Sequence, residues 1–346
     1  MKAAYYEYFK GPVTIARLPD PTPAANEVII QVKATGLCRS DWHGWQGHDC
    51  DIHLPHVPGH ELAGTIVATG SEIRQWKKDD RVTVPFCIGC GTCVQCTNGQ
   101  QQICDNYYQP GFTGWGSFAK FVRIPYAAEN LVRLPDAMDF VTAAVLGCRF
   151  ITAWRGVITQ GALKAGDFIA IHGCGGVGLS AIMIAAAMGA VPIAIDIDET
   201  KLAFAKSIGA AFTINARDTV AVSEGIIDIT KGGATVSVDA LGSRETCTNS
   251  IRCLRKQGKH IQLGLMAGTE ANPPVPMGEV IAKELQLIGS HGMQAHQYPA
   301  MLEWISSGKI HPEKLLGKII TLEEGCRELT DLNSFRNIGV TVIRMD

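Results

Sequence analysis

The amino-acid sequence predicts a two-domain α/β protein, in which a doubly wound parallel sheet is joined to an antiparallel β-barrel. The first observation is length, because 346 residues are too many for one hydrophobic core. The second is the order strand, glycine-rich turn, helix, strand across residues 168–196. The third is apolar–polar alternation interrupted by prolines before residue 35, which indicates short antiparallel strands. The predicted domains are residues 1–149 with 290–346 for the barrel and 150–289 for the parallel sheet.

The composition excludes several classes of function. The net charge is −2 and the 18% of charged residues are of mixed sign, so nothing points to nucleic acid or an anionic membrane surface. The first seven residues lack the apolar core of a signal peptide. The longest apolar stretch, residues 179–195, contains Gly189 and Pro192 and therefore favours a helix plus a strand over a membrane span. We expect a cytoplasmic protein, in which twelve cysteines serve metal binding or catalysis more than disulfides.

A group of metal-binding and proton-transferring side chains begins at Cys38 and continues with Ser40 and His43. Further along the chain, His60 and Cys148 add an imidazole and a second thiol. Two thiolates and an imidazole make a three-ligand zinc set with an open fourth position, as a catalytic zinc requires. The hydroxyl of Ser40 and the ring of His43 suit the removal of a proton from an alcohol. The alternative is that the cysteines are buried apolar thiols, His60 is a surface histidine and Ser40 is a turn residue.

The cysteines between residues 87 and 104 form a second metal-binding pattern. Cys90, Cys93, Cys96 and Cys104 have the spacing C-x2-C-x2-C-x7-C. Four thiolates fill a tetrahedral shell, so this zinc is expected to be structural. Cys87 continues the same three-residue spacing, so a set that starts at Cys87 and ends at Cys96 is an alternative. An iron–sulfur cluster is a weaker alternative, because such sites also use C-x2-C-x2-C.

The parallel-sheet domain begins with a strand at residues 168–172, followed by the turn Gly173-x-Gly175-x-x-Gly178. Gly173 permits a tight turn, Gly175 lets the backbone approach a pyrophosphate at the helix N-terminus, and Gly178 allows close packing of helix and strand. Asp196 ends the next strand, where a carboxylate binds ribose hydroxyls and repels a 2′-phosphate. The pattern predicts NAD rather than NADP, and the alternative is a glycine-rich turn of another α/β protein.

Further βα units follow. Strands are predicted at residues 236–242, 259–265 and 285–290, and helices at residues 201–208 and 247–254. A helix at residues 297–306 and a closing strand at residues 340–344 are expected to return the chain to the first domain.

In combination, these motifs resemble the zinc-dependent alcohol dehydrogenases of the medium-chain dehydrogenase/reductase superfamily, over essentially the whole chain. The matching segments are residues 38–43, Gly59-His60-Glu61, the four cysteines, Leu146-Gly147-Cys148, the glycine turn, and Asp196 with Lys201. The resemblance implies a Rossmann domain, a GroES-like barrel domain, two Zn²⁺ per chain and NAD. It implies reversible hydride transfer between NAD and an aliphatic or aromatic alcohol, giving an aldehyde or ketone. It also implies a homo-oligomer, either a tetramer or a dimer.

The resemblance also implies roles for individual residues. At the catalytic zinc these are Cys38, His60 and Cys148 as ligands, Glu61 as a nearby carboxylate, Asp41 as the group orienting His60, and Ser40 and His43 as the proton relay. At the substrate and cofactor they are Phe86 in the alcohol pocket, Thr152 and Val177 at the nicotinamide, Arg39 at the pyrophosphate, Gly176 in the glycine turn and Lys201 at the adenosine ribose. Polyol dehydrogenases of the superfamily usually carry glutamate at the position of Cys148, so the cysteine favours simple alcohols.

Two features depart from the family pattern. The family often has Gly-Arg before the final strand, where the arginine holds the pyrophosphate, but residues 337–340 here read Asn-Ile-Gly-Val. NAD affinity is therefore expected to be weaker unless Arg336 or another residue compensates. Residues 44–56 follow no family pattern and contain His48, His53 and His56. These histidines are interpreted as solvent-facing loop residues, with extra metal ligands as the alternative.

Two other functions are compatible with parts of the sequence. A zinc-free reductase of the same superfamily, of the quinone reductase kind, would need neither the three ligands nor the four cysteines. A non-catalytic NAD-binding or zinc-lobe interaction protein would not need the proton relay or the open metal site. Metal content and a screen of alcohols distinguish these alternatives from the dehydrogenase.

Overall fold

The computed structural model describes residues 1–218, 221–334 and 337–345 and divides the chain into two compact units. The first unit comprises Met1–Ile151, Gly292–Ser306 and Leu316–Asp346, and the second comprises Thr152–His291 and Ser307–Leu315. The sequence assigned residues 307–315 to the barrel domain, which is wrong. The 3₁₀-helix Pro312–Leu315 packs against the helix Gly176–Ala187 and therefore belongs to the second unit.

Within these ranges the strands, in chain order, are β1 Lys2–Tyr5, β2 Thr14–Arg17, β3 Val28–Leu37, β4 Glu61–Thr69, β5 Arg81–Thr83, β6 Phe121–Ile124, β7 Val132–Arg133, β8 Phe168–His172, β9 Val191–Asp196, β10 Phe212–Asn215, β11 Ala234–Asp239, β12 Leu254–Gln262, β13 Gln286–Gly289, β14 Leu316–Ile320 and β15 Val340–Arg344. The α-helices are α1 Arg39–Trp45, α2 Val94–Thr97, α3 Ala127–Asn130, α4 Phe140–Val145, α5 Ile151–Trp154, α6 Gly176–Ala187, α7 Glu199–Ser207, α8 Val222–Thr230, α9 Arg244–Arg252, α10 Met277–Lys283, α11 Tyr298–Ser306 and α12 Leu322–Asp331.

The first unit is built on a sheet with the strand order β14-β15-β3-β4-β5-β7, in which β6 also pairs with β3. All of these pairs are antiparallel except β14 with β15. Ile30 of β3 and Ile66 of β4 are fully buried in one core cluster. Thr341 of β15 lies opposite Leu37 of β3, so the predicted closing strand does return to this unit. It lies beside the chain that leads directly into Cys38.

The second unit is a six-stranded parallel sheet with the order β10-β9-β8-β11-β12-β13. Counted from β8, this is the order 3-2-1-4-5-6 of a Rossmann sheet, which confirms the predicted fold class. The strand order reverses between β8 and β11. Ligands of such sheets bind at the carboxyl ends of the strands at this switch point, and the glycine turn follows β8 there.

Element boundaries differ from prediction where a cap or an irregular pairing decides them. Helix α9 begins at Arg244, three residues before the predicted start at residue 247, because Ser243 and Thr246 form a capping box. The backbone N–H of each residue donates to the hydroxyl oxygen of the other, at 3.1 Å in both cases. Strand β12 begins at Leu254 rather than at residue 259. Leu254 pairs with Ala234 across a register shift, which the hydrophobic pattern does not reveal.

The helical run Phe140–Gln160 is long and apolar enough to cross a membrane, and it is the single such helix among the described residues. Its most apolar window is 83% buried within the protein, as expected for a core helix. The apolar stretch at residues 179–195 forms α6 and β9, which meet at a turn where Gly189 has a φ of +78°. This agrees with the predicted helix and strand.

Buried polar side chains connect strands β8 and β12 of the second unit to helix α9 and its C-cap. His172 ends β8, and its Nε2 lies 3.8 Å from the Cys253 thiol. His260 of β12 lies close to Ser250, with 2.8 Å between Nδ1 and Oγ. Both rings are almost fully buried, and burial lowers the pKa of each, for His172 to about 3. The neutral ring is therefore the form that the fold accommodates.

This burial predicts acid sensitivity of the second unit. In the unfolded chain a histidine titrates near its usual pKa of about 6.5, so below that pH the unfolded chain binds a proton that folded His172 refuses. The contribution of His172 to the free energy of unfolding is fully present above pH ~6.5. As the pH is lowered further, this contribution falls by about 1.4 kcal/mol per pH unit until the pKa of the folded state is reached. The substitution His172→Gln should make the fall in unfolding temperature between pH 6.5 and 4 shallower. His53→Gln, on an exposed histidine, is the control, and equal slopes in both variants would contradict the assignment.

Candidate active site

The first candidate metal ligand lies where β3 passes into α1. Cys38 is the N-cap residue of α1, and its backbone N–H donates to the Asp41 carboxylate, with 2.9 Å from nitrogen to Oδ2. A carboxylate in the first turn suits both the free N–H groups and the positive end of the helix. The Cys38 side chain is buried. The start of the helix therefore fixes the position of this thiol.

Asp41 also orients the candidate imidazole ligand. Its Oδ1 lies 2.9 Å from His60 Nδ1 and accepts a hydrogen bond from the Gly59 backbone N–H at 3.0 Å. Because a carboxylate accepts at Nδ1, that nitrogen carries the proton and Nε2 presents a lone pair. His60 is fully buried, and its Nε2 has no hydrogen-bond partner among the described residues. A buried, unpartnered nitrogen of this kind fits a metal ligand.

Cys148 reaches the same place because of a kink at Gly147. The helical run that starts with α4 is interrupted there, where Gly147 has φ −44° and ψ −119°. A Cβ atom at Gly147 would overlap the side chain of Glu61, the first residue of β4. Only glycine lets the chain pass this close to β4, and the kink therefore brings the Cys148 thiol beside the other two ligands.

Glu61 and Arg149 form a buried ion pair next to this kink. Glu61 Oε1 accepts hydrogen bonds from the backbone N–H and the Nε of Arg149, at 3.1 and 3.0 Å, and Oε2 contacts Arg149 Nη2. Both residues are buried. The pair ties β4 to the turn that carries Cys148. No sequence motif indicates this ion pair, although Arg149 directly follows a predicted ligand.

The structure brings Cys38, His60, Glu61 and Cys148 together, with one potential ligand atom of each within 4.8 Å of the others. A hydrogen bond with the Cys148 thiol holds the pKa of Cys38 well below its ordinary value, and His60 and Arg149 act in the same direction. This favours the thiolate that metal binding requires. Two thiols and an imidazole with an unpartnered nitrogen are the donors that zinc prefers, so the residues fit this ion.

Hydroxyl and aromatic side chains surround the centre. Ser40 Oγ lies 3.7 Å from Cys38 Sγ. The rings of Phe86 and Phe112 meet the His60 ring edge to face, with centroid distances of 6.1 and 5.4 Å. Phe86 was singled out from the family pattern. Phe112 was missed, because a phenylalanine in a loop carries no signal until the loop is folded.

His43 lies on the more exposed side of α1. Its Nδ1 is 2.9 Å from Nδ1 of the exposed His48. Burial lowers the pKa of His43 to about 4, and Arg39 and His48 add to the effect. The ring is therefore neutral at pH 7 and able to accept a proton. Arg39, the predicted pyrophosphate contact, is half-buried, with its Nη2 3.1 Å from Asn333 Oδ1 and its guanidinium over the Trp42 ring.

The four-cysteine pattern also folds into one site. Its thiols lie within 4.8 Å of one another, and they belong to Cys90, Cys93, Cys96 and Cys104. Backbone N–H groups donate to the sulfurs, for example from Cys90 to Cys104 at 3.2 Å. Hydrogen bonds, first from the Thr92 hydroxyl and then from Asn106, lower the pKa of Cys90 to about 5. Burial raises the pKa values of Cys96 and Cys104, so the case for a second zinc ion rests on the closed set of four thiols.

Cys87 lies outside this group. Its thiol is 3.5 Å from the carbonyl oxygen of Met293. Of the two registers that the spacing left open, the structure brings together the one that includes Cys104. Spacing alone did not separate them, because Cys104 reaches the site through a loop and a 3₁₀-turn.

The glycine turn connects β8 to α6 in the second unit. Gly173 has a φ of +96°, which favours glycine, and a Cβ at Gly178 would overlap the Gly173 carbonyl oxygen. Gly175 is the N-cap of α6 and has open space where a Cβ would lie. Gly176 and Val177 form the first turn of α6, whose N-terminus has no side-chain cap. Free N–H groups above open space fit the pyrophosphate of a dinucleotide.

Three other predicted cofactor residues, Asp196, Lys201 and Thr152, lie in the same unit. Asp196 ends β9 and its Oδ2 accepts a hydrogen bond from the Cys174 backbone N–H at 2.7 Å, which places the carboxylate against the glycine turn. Lys201 is half-buried in α7. Thr152 is buried, and its hydroxyl has no partner in the described part of the chain. Arg336, the possible substitute for the family arginine, lies outside the described residues.

Comparison with known proteins gives a consistent result. A family described as "Alcohol dehydrogenase GroES-like domain" matches residues 24–136, and one described as "Zinc-binding dehydrogenase" matches residues 176–307. The chain is 32% identical over 342 residues to an NAD-dependent alcohol dehydrogenase of Sulfurisphaera tokodaii, covering 96% of each protein. It is 31% identical over 313 residues to an alcohol dehydrogenase of Geobacillus stearothermophilus, covering 90% of each. A solved structure of the alcohol dehydrogenase of Thermus sp. ATN1 covers 100% of both chains with a TM-score of 0.90 and 29% identity.

Proposed function

The chain belongs to the zinc-dependent alcohol dehydrogenases of the medium-chain dehydrogenase/reductase superfamily, and from this premise we propose that it interconverts a simple alcohol with its aldehyde or ketone at the centre formed by Cys38, His60 and Cys148. It is an NAD-dependent enzyme of a zinc-containing family. The observation that carries the proposal is the buried Nε2 of His60, which has no hydrogen-bond partner among the described residues and belongs to a ring with one nitrogen within 4.8 Å of two thiols. An imidazole nitrogen so placed beside two thiols fits a zinc ligand.

When bound, zinc lowers the pKa of an alcohol hydroxyl and NAD accepts a hydride. The residues of this chain orient the metal ligand, carry the proton and supply apolar surface. Asp41 holds the His60 ring in the tautomer that presents Nε2. Ser40 and His43 provide a hydroxyl and a neutral imidazole to carry the alcohol proton toward solvent. Phe86 supplies apolar surface for the carbon chain of the alcohol.

We further propose that the substrate is a primary or secondary alcohol without a polyol chain, because Cys148 takes the position where polyol dehydrogenases usually place glutamate. NAD is preferred over NADP, because Asp196 places a carboxylate beside the glycine turn, where a 2′-phosphate would be repelled. The four-cysteine site holds a structural zinc. By family resemblance we expect a cytoplasmic homo-oligomer, a tetramer or a dimer, which light scattering of the purified protein measures.

A panel of aliphatic, aromatic and polyol alcohols, run with NAD and with NADP, tests this function. We expect oxidation of simple alcohols with NAD, together with about two zinc ions per chain by metal analysis. Absence of zinc would favour the zinc-free reductase. Two zinc ions without oxidation of any alcohol would favour a non-catalytic protein.

A further inference from the structure

The end of α1 positions a histidine that none of the family motifs includes. Gly47 has a φ of +78°, and its N–H donates to the Gly44 carbonyl oxygen at 3.0 Å. The N–H of His48 donates to the carbonyl oxygen of His43, also at 3.0 Å. These two bonds form a Schellman motif, which sets the second residue after the helix beside the residue five positions before it. The backbone therefore brings His48 next to His43.

The side chains of this pair are in direct contact. The two Nδ1 atoms lie 2.9 Å apart, a hydrogen-bond distance. Trp42 packs edge-on against both rings, with centroid distances of 5.0 and 5.9 Å. A Schellman motif usually brings two apolar side chains together at these positions. Here it brings together two imidazole rings, one half-buried and one exposed.

We propose that His48 is a second proton carrier for the alcohol oxidation proposed above, taking up the proton that His43 receives and releasing it to water. The inference rests on that proposed function. His48 acts through His43 rather than on the alcohol, and its exposed ring joins the half-buried ring to bulk solvent.

Each of the two rings gives up one proton for the proton that it receives. His43 starts with its proton on Nδ1, donated to His48 Nδ1, and accepts the incoming proton at Nε2. The Nδ1 proton then crosses the 2.9 Å hydrogen bond to His48, which gives its own Nε2 proton to water. Both rings end neutral in the opposite tautomer. Aldehyde reduction runs the same transfer backwards, and proton exchange with water restores the starting tautomers between turnovers.

The charges around the pair favour onward transfer. Arg39 and His48 both disfavour a positive charge on His43, and the Cys38 thiol acts in the opposite direction. Asp49 directly follows His48 in the chain, and its half-buried carboxylate accepts a hydrogen bond from the Asp51 backbone N–H at 2.9 Å. A positive charge on His43 is therefore disfavoured, first by burial, and the adjoining ring of His48 lies where water reaches it.

The test compares His48→Ala with the matched variant His53→Ala, which removes an exposed imidazole from the same loop. In the zinc-loaded enzyme, kcat for alcohol oxidation by His48→Ala should fall about tenfold near pH 6, where water is a poor proton acceptor, and recover toward pH 9, with little change in KM. Added imidazole should restore the rate at low pH. His53→Ala should follow the wild-type profile.

A second measurement does not depend on activity. Nitrogen NMR of histidine-labelled, zinc-loaded protein without NAD should show coupling across the hydrogen bond between the two rings, lost in His48→Ala and retained in His53→Ala. Three results would overturn the proposal. The first is an unchanged pH profile in His48→Ala, and the second is a loss of rate that is equal at all pH values and is not rescued by imidazole. The third is the absence of coupling between the two rings. If wild-type protein oxidises no alcohol, the proposed function fails and the relay with it. If wild-type is active and only the profile is unchanged, the relay alone fails.

Discussion

Replacing Cys38 by serine is expected to lower alcohol oxidation by at least about a thousandfold, because a Lewis acid contributes several kcal/mol to the barrier and each 1.4 kcal/mol is a factor of ten. A serine hydroxyl is a poor zinc ligand at neutral pH, so the content of zinc should fall from about two to about one per chain. His60→Ala should behave in the same way. Both losses are measured on one preparation, by steady-state kinetics and metal analysis.

Cys50→Ser is the matched control, since Cys50 is an exposed cysteine outside both of the clusters proposed to hold zinc. It should retain both metal content and turnover. The fold of Cys38→Ser should survive, because the core of the first unit consists of sheet residues such as Ile30 and Ile66. Undiminished oxidation by Cys38→Ser would remove the proposed metal centre.

Replacing Arg149 by methionine should destabilise the first unit by about 3–5 kcal/mol. This is the usual effect of removing one partner of a buried ion pair, because the other charge stays buried without compensation. Glu61 is fully buried, and the guanidinium is its charged partner at 3.0 Å. Without it, the carboxylate keeps only the backbone N–H of residue 149. Urea denaturation followed by tryptophan fluorescence measures the loss of unfolding free energy.

The double variant Glu61→Met with Arg149→Met separates charge from packing. Removing both charges leaves no unpaired group, so most of the stability should return. If the single variant is as stable as the double variant, the pair does not stabilise the fold. The double variant also tests the kink, because zinc content should fall if the pair is needed to hold Cys148 in place.

Much of the fold could be predicted, because the signals are local. The glycine turn, the alanine-rich helix and Asp196 follow one another within about thirty residues, as a βαβ unit does, and the strand order confirms the Rossmann sheet. The start of β12 at Leu254 was not predictable in this way, since it depends on a register shift against β11. The assignment of residues 307–315 likewise depends on packing against α6 and not on composition.

The candidate site likewise contains residues that the sequence indicates and contacts that depend on the folded chain. Residue types make Cys38, His60 and Cys148 candidate ligands, because zinc chemistry restricts its ligands, and the family resemblance assigns the three to one ion. Spacing carries no information about how Arg149 reaches Glu61, which lies 88 positions away in the chain. The pairing of His43 with His48 depends on a local backbone motif that a glycine at position 47 indicates. The signal for this pairing lies at the end of helix α1 and not in the spacing of metal ligands.

Strand β15 pairs with β3 immediately before Cys38, and this has a consequence for how the protein is made. A ribosome delivers β3 and the first ligands early, whereas the strand that flanks them emerges long afterwards, and chains fold as they emerge. Until then the hydrogen-bonding edge of β3 stays open beside a reactive thiol. We expect newly made chains to acquire the metal at this centre only after translation has passed residue 344, and stalled chains to expose Cys38 to alkylating reagents.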